Sequence, residues 1–373
     1  PAAELAAKLA EIAPGDLNHV FFGTGGSIAN DTAIRIIHFY NNKRGKPNKK
    51  KIISRLDSYH GSTYMAMTLT GTQHDHIGFD IAPDLVHYIS APNCYRGIEG
   101  DRTPTAEQLE TFCNGLVKEF EQKILELGSE NVAAFIAEPI MASGGCIVPP
   151  DGYLKRIWKI CKKYDVLFIS DEVVTGFGRI GHFFSSEEVF EIIPDIITSA
   201  KGITSGYMPL GTVLFSDKLL DDIKKESAMF FHGYTYSGHP ACCAAALKNI
   251  EIIKRDKILE HVQEIEPYFH EKLKKLYEIP IVGDVRGKGL MAGIECVIDK
   301  DSKEALVLDK AIGSRIDEES IRLGLIIRPL YHICVLSPAL IITKSQIDTL
   351  VDKLYNAIEN SVKQLKVEGL WKG

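Results

Sequence analysis

The 373-residue chain lacks a CxxC pair. Its eight cysteines, at 94, 113, 146, 161, 242, 243, 296 and 334, show no zinc-site spacing. They read as reduced thiols, which excludes a disulfide-stapled scaffold and places the protein in the cytoplasm. An excess of positive charge is also missing. The 43 Lys+Arg against 49 Asp+Glu leave a net charge of −6, so nothing draws in nucleic acid or an anionic membrane from a distance. A small molecule is the expected partner. No apolar run fits a bilayer: the longest uncharged stretch, residues 227–247, holds His232, Gly233, Ser237, Gly238, His239 and Pro240. The opening PAAELAAKLAEIAPGD has no basic segment of the kind that begins a signal peptide. It has helical spacing with Pro1 already inside it, so a natural N-terminal segment is expected before it. Internal repeats and low-complexity linkers are absent too.

What remains is ordinary globular composition, 45% hydrophobic and 25% charged, which rules out disorder, collagen and coiled coil. Cores stop growing near about 250–300 residues, so one large domain and a smaller one are expected. The single basic run, residues 43–51, contains Gly45, Pro47 and Asn48. It reads as a solvated loop from a helix to a strand.

Residues 1–276 alternate helical stretches with short β-branched runs, the pattern of a mainly parallel sheet wrapped by helices in three α/β/α layers. Strands are expected at 19–23, 51–55, 86–90, 132–137, 166–170, 196–199 and 212–215. Helices are expected at 27–40, 105–127, 153–164 and 240–276, the last broken once. Residues 277–373 read as a smaller α+β domain, with strands at 281–286, 290–296, 326–328 and 333–336 and helices at 303–323 and 344–365.

Ligands of open α/β sheets sit beyond the carboxyl ends of the strands, and four such places carry unusual chemistry. Gly23-Thr24-Gly25-Gly26-Ser27 opens a helix, so bare N–H groups and the helix N-terminus can cradle a phosphate. A dinucleotide fingerprint, and with it an NAD-binding oxidoreductase, would need a small residue where Ile28 stands. Asp171-Glu172 follows the apolar strand; a carboxylate buried there costs several kcal/mol unless it meets a cation or donors. Lys201 follows another strand, where a desolvated amine becomes a nucleophile. Tyr59-His60-Gly61 offers an aromatic plate. Taken singly, each has a bland reading as a turn, a cap, a solvated side chain or core. Together they fit pyridoxal 5′-phosphate, whose phosphate, ring nitrogen, aldehyde and ring face need those partners. No metal site is expected.

Seven segments then carry a resemblance in family order: GGSIANDTAIR (25–35), SYHGST (58–63), AEPIMASGG (137–145), DEVVTGFGR (171–179), HGYTYSGHPACCAAAL (232–247), VRGKGLMAGIE (285–295) and RPL (328–330). The chain resembles the class III aminotransferases, of the ω-amino acid or amine:pyruvate type, among the fold-type-I pyridoxal phosphate enzymes. The resemblance implies that Lys201 holds the cofactor covalently and later moves the substrate proton, and that Asp171 pairs with the pyridine nitrogen. Val173 and Tyr59 would cover the two ring faces, with His60 and Glu138 beside them. Gly26 and Ser27 would hold the phosphate, joined by Thr235 of a neighbouring subunit in a homodimer. Arg328 resembles the arginine that binds the acceptor's carboxylate. Ornithine and 4-aminobutyrate aminotransferases mask that arginine with a glutamate where this chain has Ser143, which turns the reading toward pyruvate as acceptor. Two more departures stand at Gly25 and Ile28, where the family usually has Ser and Glu. The implied activity is transfer of an amino group from an amine or ω-amino acid to a keto acid. The alternatives are a 2,1-aminomutase, a decarboxylase, or a non-catalytic binding protein on the same scaffold.

Overall fold

The computed structural model describes residues 1–100, 103–225, 229–306 and 312–371. Helix α1 (Ala2–Ile12) precedes β1 (His19–Gly23), α2 (Gly26–Lys43) and β2 (Lys51–Arg55). Short helices α3 (Tyr64–Leu69) and α4 (Cys94–Gly97) flank β3 (Val86–Ile89). Next come α5 (Ala106–Leu127), β4 (Val132–Ala137), α6 (Tyr153–Lys163), β5 (Leu167–Asp171), β6 (Ile196–Ser199), β7 (Gly211–Phe215), α7 (Asp217–Lys225) and α8 (Pro240–Arg255). These strands form one sheet in the order β1-β7-β6-β5-β4-β2-β3. Strand β7 runs against both its neighbours, β1 and β6, and the remaining pairs are parallel.

Alternation along each strand divides the side chains between two helical layers. Ile52, Ala134, Ile136, Ile169, Ile196 and Val213 pack under Ala29, Ala33, Ile34 and Ile37 of α2. On the other face, Ile53, Phe135 and Phe168 meet α5 and α6, while Ile197 and Leu214 meet α1 and α8. Strands β4, β5 and β6 are buried at every residue, as continuous apolar runs in a doubly covered sheet should be. The three-layer, mainly parallel expectation is borne out.

The long helix expected at 240–276 breaks at Asp256 and Lys257, the latter with φ +52°. Its second half is α9 (Ile258–Leu273). Strands β8 (Val282–Lys288) and β9 (Met291–Cys296), helix α10 (Ile312–Arg322), strands β10 (Arg328–Leu330) and β11 (Ile333–Leu336), and helix α11 (Lys344–Val367) follow. The second sheet is antiparallel throughout, in the order β10-β11-β9-β8. Val262, Ile265 and Phe269 of α9 share its core with Ile316 and Leu354.

Two expectations need correction. The helix predicted over 303–323 does not begin at Lys303. That residue has φ +57° and its buried ammonium donates to the carbonyls of Tyr95 and Ile98, at 3.1 and 2.7 Å, while Ala305 bridges to Val297. Residues 307–311 lie outside the described ones. The basic run 43–51 does contain a loop from a helix to a strand, exposed over 45–48, but three of its six cations converge on Asp165. Arg44 and Lys46 each lie 2.8 Å from that carboxylate and Lys49 3.9 Å. Lys49 is only 2% exposed. Burial pulls its ammonium down to about 8, and Nζ donates to the Ser129 carbonyl at 2.7 Å.

Partial burial acts to raise the Asp165 carboxyl, but the bonds from Arg44 and Lys46 outweigh it and hold the group below its ordinary value. Its stabilisation is therefore present above the unfolded carboxylate range and disappears as pH falls through the lower folded value. Asp165 has φ +55°, a conformation that Asn also tolerates, so Asp165→Asn removes charge without altering the turn. Urea denaturation at pH 7 should show a loss of about 1 kcal/mol for this partly exposed group, and the gap between variant and parent should close below about pH 4.

Candidate active site

All the parallel strands present their carboxyl ends to one edge of the large sheet, and the residues singled out there converge. Beyond β1 the chain turns at Gly25, in extended backbone with φ 176°, and enters α2 with no side-chain cap and no acidic residue in its first turn. The free N–H groups and the helix dipole make this end attractive to an anion. A Cβ on Gly25 would meet nothing within 4 Å, whereas one on Gly26 would lie 2.9 Å from Val173 Cγ1. Glycine at 26 thus lets α2 lie against Val173, two residues past the end of β5. The Ser27 hydroxyl accepts from the Ser62 N–H at 3.1 Å. Gly61, at φ +136°, passes so close that a Cβ would fall 2.4 Å from that hydroxyl.

Asp171 closes β5 and is 3% exposed. Three donors hold it. His60 Nδ1 lies 2.7 Å and Asn30 Nδ2 2.8 Å from Oδ2, and the Val173 N–H lies 3.1 Å from Oδ1. An ionised carboxylate only accepts, so the imidazole carries its proton on Nδ1. Asn30 in turn donates to the His60 carbonyl at 2.7 Å and accepts from the Thr198 hydroxyl at 2.8 Å. His60 Nε2 is buried without a partner among the described residues. Neighbouring Glu172 is turned the other way, into a nest made by Thr175, Ser185 and Ser186; it fixes a loop and does not line the cavity.

Glu138, directly after β4, accepts from the N–H groups of Tyr59 at 3.0 Å and Ala142 at 3.1 Å. Burial pushes its carboxyl up, partly offset by His60. Beneath it lies Arg55, the last residue of β2, fully buried and donating Nη2–H to the Glu138 carbonyl. Its Nε and Nη1 make no well-formed hydrogen bond among the described residues, the Tyr153 hydroxyl being the polar group beside the guanidinium, and burial pulls the guanidinium below its ordinary value.

A cavity of about 370 Å³ opens at this edge. Gly26, Ser27, Tyr59, His60, Glu138, Asp171, Val173 and Lys201 all line it, so the acid and the amine thirty positions apart share one compartment. Lys201 begins a single 3₁₀ turn after β6 with φ +42°. It is exposed in the single chain, which corrects the expectation of a desolvated amine. Ser143 forms part of the wall. Thr235 and Arg328 do not: both are exposed, the first in the segment before α8, the second at the start of β10.

Asn30 and Arg55 were not singled out from the sequence. Asn30 had a signal, since it interrupts the apolar face formed by Ala29, Ala33 and Ile37 one turn after Gly26. Arg55 had little, because an arginine ending a strand usually reaches solvent.

The class-III aminotransferase family matches residues 1–358. Over 354 residues the chain is 44% identical to a putrescine–pyruvate aminotransferase of Pseudomonas aeruginosa, covering 94% of this chain and 75% of that protein. Among solved structures, an (S)-enantioselective omega-transaminase from Thermomicrobium roseum superposes with a TM-score of 0.92 at 40% identity, covering 97% of this chain and 79% of that one. The omega transaminase of Pseudomonas jessenii in complex with PMP gives 0.92 at 37%, covering 98% and 80%. A seven-stranded sheet with one reversed strand, a match over nearly the whole length and these neighbours lead to one assignment: the chain belongs to the class-III aminotransferases, pyridoxal 5′-phosphate enzymes of fold type I.

Proposed function

We propose that the protein is a homodimeric, cytoplasmic transaminase that takes an amino group from an amine or ω-amino acid and gives it to pyruvate. The observation that carries this reading is the shared cavity of Asp171 and Lys201, with Ser143 in its wall, the departure that favours pyruvate as acceptor. The residues fit the cofactor: open N–H groups and Ser27 for a phosphate, free volume at Gly25, a fixed carboxylate for a pyridinium, and an amine within the same cavity. When bound, pyridoxal phosphate supplies an electron sink for the pair left on the donor carbon.

The protein's own groups do the rest. Three donors keep the Asp171 carboxylate oriented, and it would face the ring nitrogen. Val173 and Tyr59 would confine the ring between them, with His60 and Glu138 beside it in the same cavity wall. Gly26 and Ser27 would anchor the phosphate, with Thr235 of the other subunit joining them, in keeping with its exposure on the single chain. The Lys201 amine would hold the aldehyde carbon until the donor's amine displaces it, and once freed it would act as the base that moves the proton off the donor carbon that carries nitrogen. Arg328, exposed on β10, is free to meet the acceptor's carboxylate through its planar fork. Free cysteines throughout the described residues support a reducing compartment. Residues 1–276 form the cofactor-binding domain in this reading and 277–373 the smaller one, each sheet having its own core, although α9 lends side chains to the second.

Three outcomes are expected. Mixing the cofactor-loaded protein with putrescine or β-alanine and then pyruvate should produce alanine, read by chromatography; carbon dioxide release or a rearranged amine in its place would reject the transaminase assignment. Lys201→Ala should lose the borohydride-reducible visible chromophore and lower turnover by about 10²–10⁴-fold or more, the share of a general base alone. Gly25→Ser adds a hydroxyl where space is open and backbone extended, so absorbance titration should show cofactor binding tightened by about tenfold, the worth of one charge-assisted hydrogen bond.

A further inference from the structure

Ser143 stands at the tip of a closed loop. Met141 and Ile147 pair through reciprocal backbone bonds of 3.0 and 3.1 Å, and the N–H groups of Gly145 and Cys146 return to the Ala142 carbonyl at 3.1 and 3.2 Å. From the large-sheet side the loop is held where Glu138 accepts from the Ala142 N–H and where Gly144 lies so close to Asp57 that a Cβ would fall 2.7 Å from its carbonyl oxygen. Its outer end leans on the C-terminal sheet. Arg286 of β8 donates Nε–H to the Gly145 carbonyl at 2.9 Å. From the other side Gly293 of β9 comes so near that a Cβ there would lie 2.3 Å from the same oxygen. One carbonyl is thus held by a guanidinium and seated against a strand that has no side chain to push it away.

The guanidinium is itself fixed. Arg286 Nη1 bonds Asp284 at 2.8 Å and Glu295 at 2.6 Å. Glu295, 1% exposed, also takes Arg96 of α4. Despite burial, the bond from His332 and the charges of Arg286 and Arg96 hold its carboxyl at about 2. This ion network ties α4 to the second sheet and neutralises the guanidinium through Nη1. The Nε–H is satisfied by the Gly145 carbonyl alone, so that bond couples the fixed guanidinium to the loop.

We propose that Arg286 is a positioning residue for the substrate end of the cavity: by gripping the Gly145 carbonyl against Gly293, the C-terminal sheet sets where Ser143 stands. The inference rests on the transaminase reading only for its kinetic arm.

Two unrelated lesions act on the same oxygen, Arg286→Met by release and Gly293→Ala by displacement. Arg286→Lys keeps the cation but loses the fork, and Asp284→Asn loosens the ion network while leaving the Nε bond in place. In each cofactor-loaded variant the KM for pyruvate, kcat, the cofactor dissociation constant by absorbance titration, and hydrogen exchange of amides 141–147 are measured. Arg286→Met and Gly293→Ala should raise KM by on the order of tenfold to a hundredfold and speed exchange in 141–147, with cofactor affinity within about twofold of the parent. Arg286→Lys should fall between, and Asp284→Asn should keep the parent KM. Cofactor affinity and KM worsening in step, or unchanged exchange in both lesions, would overturn the proposal. If the parent fails to aminate pyruvate, the transaminase reading falls, while the exchange arm still decides whether Arg286 holds the loop.

Discussion

The constraint on which the site depends is the burial of one negative charge at the end of a central strand. Asp171 cannot sit at the rim of β5 uncompensated, and the surrounding sequence is arranged to prevent it. Asn30 arrives from α2, His60 from beyond β2, and the Val173 N–H from two residues past Asp171 itself. Each donor comes from a different element, so the carboxylate links α2, β2 and β5 at the point where the cavity opens. Isolated burial of such an ion would cost several kcal/mol; with three hydrogen bonds the same burial becomes a source of fixed field. Arg55 lies deeper still, a second charge without a carboxylate in hydrogen-bond reach. Its positive field falls on a region that already holds Glu138 and Asp171.

Much of this was legible in the chain itself. Alternating runs such as Ile52-Ile53 and Phe168-Ile169 placed the strands, since side-chain period and burial on both faces leave few other solutions. Lys201 and Asp171 were legible because each follows an apolar strand, and strand ends share an edge. Long-range pairing was not. Lys303 reads as a helix start until its ammonium is seen under the carbonyls of Tyr95 and Ile98, and Lys49 reads as solvated until Asp165 is seen beside it. Arg55 and Asn30 escaped notice for the same reason: their partners lie 83 and 141 positions away. Thr235 and Arg328 belong to another category. A single chain leaves both on its surface, where no local pattern separates them from ordinary exposed side chains.

The departures at 25 and 28 have local explanations. Ile28 turns back on the end of β1, with its Cγ2 filling the space a Cβ on Gly23 would take. A glutamate there would have to leave that apolar seat. Gly25 faces open volume instead, so its missing side chain costs nothing in packing and leaves the anion end of α2 to backbone and Ser27.

The reversed direction of β7 also shapes what can change. Because β6 and β7 are antiparallel, the segment from Ala200 to Leu210 turns back without crossing to the far side of the sheet, and it brings Lys201, Met208 and Leu210 to the cavity on one short ribbon. A crossover helix would tether such a segment at both ends of the sheet. Here the tether is local: Asn249 of α8 donates to the Gly202 and Ile203 carbonyls and Leu210 packs into the core beside α1 and α8, so the exposed stretch at Gly206 and Tyr207 is the part that can be lengthened or exchanged, giving the fold a cheap route to new pocket shapes around an unchanged lysine.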